Sequence, residues 1–510
     1  MLIKNATIYD GTGNFPFKAD VFISKGKINS ICHQLNISDK SPTVDASNLC
    51  LAPGFINMHS HSDLEIFKTK KLLHAIRQGI TTEVIGQDGS SVAPVTDKIV
   101  QELTVNMAPL AGTLDRPYWW RSFRQYLKAI ESSCSLPRIV GLVGHGTIRM
   151  CVMGNNLRRP SKSELLRMKE LLRTCLQEGA KGMSFGLVYP PGSYAQVEEL
   201  IELAKVVSEF DGIIMVHMRD EGDHLFSSIE EMAQVAKESG VRLHISHFKA
   251  LGPKNWGKVK EALNMVSKLR QEGLDIGFDQ YPYTAGCTGL KRVVPDWAYE
   301  GGEFGFQERL KNTEKYKAIL KEVKNHIDIT RGGADKILIA SVSKEENHWM
   351  SGQRLSDIST KLNLKPEEAA LKMLQEDGPS VVAIYFSMDE EDVDSLITSP
   401  LQTICTDGIV GEHPHPRTYG TFPRILGHYC REKKMMTFEE AIRKMTMEPA
   451  RRLRLWDRGL IREGMSADLV LFDTKDIHAQ NSYIEPKKFP RGIKAVWIKG
   501  DLVYSELVNI

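Results

Sequence analysis

Six side chains in this 510-residue sequence have the types and spacing to hold a divalent cation. His59 and His61 stand two apart at the far end of an apolar run entered from Ala52-Pro53-Gly54, so strand alternation turns both imidazoles to one face. The apolar stretch IIMVH ends at His217, in phase with Met215 and Ile213. VRLHISH ends at His247, in phase with Leu243 and Ile245, whereas His244 has the opposite parity and is set aside as a bystander. TICTDG ends at Asp407, in phase with Cys405 and Thr403, and TTEVIGQDG ends at Asp88, in phase with Gly86 and Val84. Any one of the six alone reads equally well as a strand-end cap or a hydrogen-bonded core residue. Together, imidazoles and carboxylates that each terminate a buried strand make a donor set for Zn2+ or a related divalent ion, with positions left open for water. The chemistry open to such a set is metal-assisted hydrolysis of a carbonyl compound.

The elements that must position these residues alternate. Val197, Leu200, Ile201, Leu203, Ala204 and Val207 form a helical stripe, and the strand IIMVH follows. Ile229, Met232, Val235 and Ala236 form a second stripe ending at Gly240, and VRLHISH follows. His217 and His247 are thus one βα unit apart, on neighbouring strands. Alternation of this kind over residues 54–457 predicts parallel strands with right-handed crossovers, and a (β/α)8 TIM barrel in preference to an open sheet, because no Gly-x-Gly-x-x-Gly turn is present. Residues 1–53 and 458–510 carry short alternating strands punctuated by Gly11, Gly13, Gly26, Gly492 and Gly500, which predicts one small β-sandwich domain assembled from both chain ends. Residues 286–352 interrupt the repeat with a charged, largely helical stretch, read either as a lid over the barrel mouth or as a surface excursion.

Bulk properties narrow the function classes. With 66 basic and 64 acidic residues, the formal charge of +2 gives no reason to expect nucleic acid or an anionic membrane as partner. The N-terminus lacks the order of a signal peptide, no apolar run reaches membrane-spanning length, and the eight cysteines show no Cys-x-x-Cys spacing, which together read as a cytoplasmic enzyme with free thiols. Nothing in the sequence bears on oligomeric state.

Strings along nearly the whole chain, APGFINMHSHSD, MSFGLVYPPGSYA, VHMRDEGD, LHISHFKALGPKNWG, DQYPYTAG, HPRTYGTFPRIL and GLIREGMSADLVLFD among them, resemble the amidohydrolase superfamily and within it the N-acyl-D-amino-acid deacylases, or D-aminoacylases. The resemblance implies a metal-dependent barrel with a two-ended β domain and a lid, hydrolysing small N-acyl-D-amino acids with one or two Zn2+, or another divalent transition metal, per chain. It implies that His59, His61 and Asp407 hold one metal position and His217 and His247 the other, with Asp407 also acting as the base. Arg417, Lys249 and Tyr283 resemble the residues that hold the substrate carboxylate, and Tyr189 is expected to line the acyl or side-chain pocket. The family's shared ligand is a cysteine in a GNCG string. Here Gly86-Gln87-Asp88-Gly89 replaces it, so Asp88 is expected to bridge through harder oxygen atoms. Lys181 is a poor alternative bridge, since it precedes its strand and falls at the other rim. Arg219 and Glu221 share the parity of His217 and are expected to support it, and His145 either reaches the rim or hydrogen-bonds behind it. A dipeptidase or cyclic-amide hydrolase on the same barrel, and a non-catalytic barrel of hydantoinase type, are the competing readings.

Overall fold

The computed structural model describes residues 1–35, 41–114, 120–133 and 136–507. Its centre is a ring of parallel strands: Phe55–Asn57, Ile80–Ile85, Arg138–Gly141 continued by Val143–Gly144, Gly182–Gly186, Ile213–His217, Arg242–Ile245, Ile276–Gln280 and Gln402–Ile404. Each pairs in parallel with the next. The third strand breaks at Leu142, whose N–H still reaches Ile85 O at 3.0 Å. The ring closes where Asp407 N–H donates to His59 O at 2.9 Å and Ser60 bridges Gly408. These strands are apolar along their length because the helices outside and the packed barrel inside bury both faces.

The helices follow from the stripes. Val197–Glu209 buries Leu200, Leu203, Ala204 and Val207, and Leu225–Ser239 buries Ile229, Met232, Val235 and Ala236. At about 1.5–3 kcal/mol per large apolar side chain taken from water, these stripes fix which way each helix faces. Ser161 and Glu164 form a reciprocal capping box at the start of Lys162–Gln177, and Gly240 at φ +68° ends Leu225–Ser239.

The two chain ends meet in one mixed sheet, in the order Asp501–Ser505, Ile493–Ile498, Leu469–Phe472, Cys50–Pro53, Leu2–Ile8, Phe17–Ser24, Lys27–Cys32. The sheet rolls until Lys27 bridges Ser466 and Ile28 N–H donates to Met465 O at 2.9 Å. Its two layers are therefore halves of one sheet around a core that includes Ile3, Val21, Leu469, Leu471 and Trp497. A second small sheet, Gly286–Gly289, Val382–Tyr385 and Ile337–Ser341, anchors the insertion, and Val382–Tyr385 is its central strand. That strand joins the other two into one sheet, so the inserted unit extends past residue 352 to Tyr385. It has its own core, including Ile319, Val323, Ile339 and Leu371.

Candidate metal centre and active-site cavity

All six residues singled out above converge beyond the carboxyl ends of the barrel strands. His59, His61, Asp88 and Asp407 form one group of donor atoms and Asp88, His217 and His247 a second, with Asp88 common to both. Three of them reach the site from left-handed backbone: Asp88 at φ +55°, His247 at φ +35° and Asp407 at φ +46°. Such conformations cost of order 1 kcal/mol or more and persist where the surroundings hold them. For Asp88 the brace is Ser184 on the fourth strand, whose hydroxyl donates to Gly86 O and accepts from Gly89 N–H at 3.0 Å. Asp279 on the seventh strand accepts the His247 N–H at 2.7 Å, and His244 Nε2 lies 3.1 Å from the other oxygen of Asp279. Beside Asp407, Thr406 N–H donates to Asn57 Oδ1 at 2.8 Å, tying the last strand to the first.

The distances within the set are those of a coordination shell. Asp88 Oδ1 lies 3.5 Å from His59 Nε2, 3.7 Å from His217 Nδ1 and 3.4 Å from His247 Nε2, and Asp88 Oδ2 lies 3.6 Å from His61 Nε2. Asp407 Oδ1 is 3.6 Å from His59 Nε2 and 3.1 Å from His61 Nε2. Ligands about 2.1 Å from a tetrahedral ion stand about 3.4 Å from one another, so these spacings match the edges of such a shell. His59 Nε2 and His217 Nδ1 are buried with no hydrogen-bond partner. Two orphaned imidazole nitrogens facing carboxylates at more than hydrogen-bond distance are donors short of an ion, and the set fits one or two divalent cations.

The four imidazoles differ in their electrostatics: at His61 and His247 burial is outweighed by the neighbouring carboxylates, which raise the pKa. Burial pushes the pKa of His59 down to about 4 and lowers that of His217, so both are neutral at pH 7 and keep a lone pair free. Burial would raise Asp407, but the Arg417 guanidinium, 2.9 Å from Oδ2, and the neighbouring His59 outweigh it and hold the carboxyl well below the usual range. Asp407 thereby turns one oxygen to the imidazoles and the other to Arg417. Glu221 is likewise held ionised against burial by Lys249, His217 and His247. It sits 3.1 Å from His247 Nδ1 and 3.5 Å from His217 Nε2, the outer carboxylate that orients both rings.

A cavity of about 340 Å³ opens over the centre, lined by Asp88, His217, His247 and Asp407, and further out by the insertion. Arg417 and Tyr189 line it as expected, with Tyr189 OH on Thr288 at 2.9 Å. Lys249 also lines it, but its ammonium is engaged 2.6 Å from Glu221 and 2.7 Å from His247 Nδ1. Tyr283 does not line the cavity. Its N–H returns to Tyr281 O at 3.0 Å in a three-residue turn about Pro282 that ends the strand's alternation, and Tyr281 is the tyrosine that faces the cavity, under Arg417 at 4.4 Å. Of the supporting pair, Glu221 is at the centre, whereas Arg219 pairs with Glu231 at 2.9 Å. His145 lies behind the rim on Glu199, 2.8 Å away. Lys181 opens its strand at the opposite end from the donors. Sequence reasoning missed the Ser184, Asn57 and Asp279 braces, which carry no motif of their own, and also Arg292 and Arg331, which the insertion brings to the cavity.

A profile of the amidohydrolase family matches residues 42–504. The N-acyl-D-aspartate deacylase of Alcaligenes xylosoxydans xylosoxydans is 32% identical over 509 residues, 99% of this chain and 92% of that protein. The D-aminoacylase of the same organism is 31% identical over 99% of this chain and 94% of its own length. Among solved structures, the N-acyl-D-glutamate deacylase of Bordetella bronchiseptica, complexed with zinc and a phosphonate mimic of the tetrahedral intermediate, superposes with a TM-score of 0.85 at 30% identity, covering 99% of this chain and 96% of that one.

Proposed function

Because this chain belongs to the amidohydrolase family, we propose that it is a metal-dependent hydrolase that removes the acyl group from N-acyl-D-amino acids, giving a carboxylate and a free D-amino acid. The observation that carries the reading is the shared carboxylate of Asp88 between two donor groups, at the floor of a cavity bearing buried cationic side chains. The relatives named above as deacylases of acidic and other N-acyl-D-amino acids support the substrate class.

In this reading His59, His61 and Asp407 would hold one cation, His217 and His247 would hold a second, and Asp88 would be available to both. Bound there, zinc or a related ion supplies Lewis-acid polarisation of the amide carbonyl and acidifies water to a pKa of about 7. Asp407 takes the proton of the attacking water and returns it to the leaving nitrogen. Arg417 keeps that carboxylate ionised and aimed through its contact with Oδ2. Arg417 and Lys249 place positive charge at the inner end of the cavity, where the amino acid's carboxylate docks, and Tyr281 and Tyr189 wall the space beside it. Glu221 holds the imidazoles of His217 and His247 in position. The insertion, whose residues complete the outer wall, acts as the lid.

Among the described residues no helix is long and apolar enough to cross a membrane, and seven cysteines are free thiols, which supports placement in the cytoplasm. The test is a panel of N-acetyl-D- and N-acetyl-L-amino acids, dipeptides and hydantoins, assayed on the metal-loaded protein and after chelation. Turnover confined to N-acyl-D-amino acids and lost on chelation is the expected result. Preference for dipeptides or hydantoins would move the enzyme to another branch of the family.

A further inference from the structure

Of the side chains that the insertion brings to the cavity and the reaction described so far does not use, Arg331 stands out. Arg331 follows the π-helix His326–Thr330, and its N–H donates back to His326 O at 3.0 Å, so the wide final turn sets where its side chain leaves the backbone. The residue is only 8% exposed, and its guanidinium lies over the Tyr385 ring at 4.2 Å. Its Nε is buried without a hydrogen-bond partner. Four arginines line the cavity, and three already face a carboxylate of the protein: Arg417 faces Asp407, Arg219 faces Glu231 and Arg292 faces Asp296. Arg331 alone of the four has no carboxylate partner among the described residues. A guanidinium taken out of water costs several kcal/mol unless an anion meets it. Burial accordingly lowers its pKa and Arg292 lowers it further, against the opposing influence of Tyr385, Tyr189 and the Glu221 carboxylate.

We propose that Arg331 is a specificity residue of the same site, supplied by the insertion, which pairs with a second carboxylate carried by the substrate in addition to the amino acid's own. The preferred substrates are then N-acyl-D-amino acids with two anionic ends. The second carboxylate comes from an acidic side chain or from a dicarboxylic acyl group. A planar five-donor fork favours a carboxylate over its isosteric amide, because the amide presents both a donor and an acceptor to a group that only donates. The inference rests on the deacylase reading for the reaction and on Arg331 for the selectivity.

Two isosteric pairs separate the sources: N-acetyl-D-glutamate against N-acetyl-D-glutamine, and N-succinyl-D-alanine against its succinamic monoamide. The full-length, metal-loaded protein is expected to favour the charged member of one pair by about 10- to 100-fold in kcat/KM, the range of a charge-assisted hydrogen bond. In Arg331→Gln that ratio falls toward one, Arg331→Lys retains part of it, and the pair that responds identifies where the carboxylate lies. An unchanged ratio for both pairs in Arg331→Gln overturns the proposal. So does a lowered unfolding temperature with selectivity intact, since that marks a purely structural arginine. If none of the four compounds is hydrolysed, the deacylase reading falls, and calorimetric binding of the same compounds to wild type and Arg331→Gln decides Arg331 by the same ratios.

Discussion

Replacing Asp88 with asparagine removes one charge from the point where both donor groups meet and leaves the backbone undisturbed. Asp88 has φ +55°, a region that asparagine tolerates as readily as aspartate, whereas alanine there adds roughly 1–2 kcal/mol of strain and confuses metal loss with misfolding. The amide keeps the volume of the carboxylate beneath the three imidazoles that lie 3.4–3.7 Å from Oδ1. What it loses is an anionic ligand from each group at once, so four donors become three on one side and three become two on the other. Two imidazoles fall short of the three protein ligands that a catalytic zinc site keeps. The loss of affinity should therefore exceed the 10- to 100-fold that removing an outer partner of a ligand costs, or about 2.7 kcal/mol at 1.36 kcal/mol per decade. The assay is metal content per chain after dialysis against metal-free buffer, alongside turnover of N-acetyl-D-amino acids and far-ultraviolet circular dichroism. Occupancy and turnover should fall together while the circular dichroism stays as in wild type. Wild-type metal content and turnover in Asp88→Asn would refute the claim that this carboxylate joins the two groups.

Other expectations concern the base, the turn and the core. Asp407→Asn should fold and yet lose about 10²- to 10⁴-fold in kcat, the usual worth of a positioned proton acceptor, measured at saturating substrate; a nearly active variant would remove Asp407 from that role. Gly86→Ala should cost about 2–4 kcal/mol in denaturant unfolding, because a Cβ at this φ +76° position would stand 2.1 Å from Leu142 O; an unchanged midpoint would deny that close approach. Burial holds Lys444 down to about 8 while its ammonium donates to Ile397 O at 2.6 Å. Between that value and about 10.4 the unfolded chain binds more protons than the folded one, so stability rises with pH through this window, and below 8 the cost of burying the charge is fully present. Lys444→Met should therefore flatten the gain between pH 7 and pH 10 by roughly 2 kcal/mol in unfolding free energy; an identical slope in both proteins would place the titration elsewhere.

The barrel was legible in the sequence because each of its layers is written locally. Continuous apolar runs mark strands buried on both faces, and stripes such as Leu200, Leu203 and Val207 mark the helices that cover them. The six donors were legible for a related reason, since a polar residue that ends an apolar strand has only the rim of the barrel to occupy. The alternation argument nevertheless reached Asp88, His247 and Asp407 by a route the chain does not take. Their strands end at Ile85, Ile245 and Ile404, and left-handed turns rather than pleating carry the three side chains inward.

What the sequence by itself determined, then, is the kind of chemistry: which residues lie at strand ends, in what order, and with donor types suited to a divalent ion. Only the tertiary structure decided how those residues divide their work. Asp88 stands between two groups because Ser184, nearly a hundred positions later in the chain, pins its turn. Tyr281 rather than Tyr283 faces the cavity because a turn about Pro282 breaks the alternation. Arg417 is bound to Asp407, Lys249 to Glu221, and Arg331 to no carboxylate among the described residues. The physical reason is common to all of these: local periodicity sets which way a side chain points along its own element, whereas pairing between charges depends on distances between elements, and those exist only once the ring has closed.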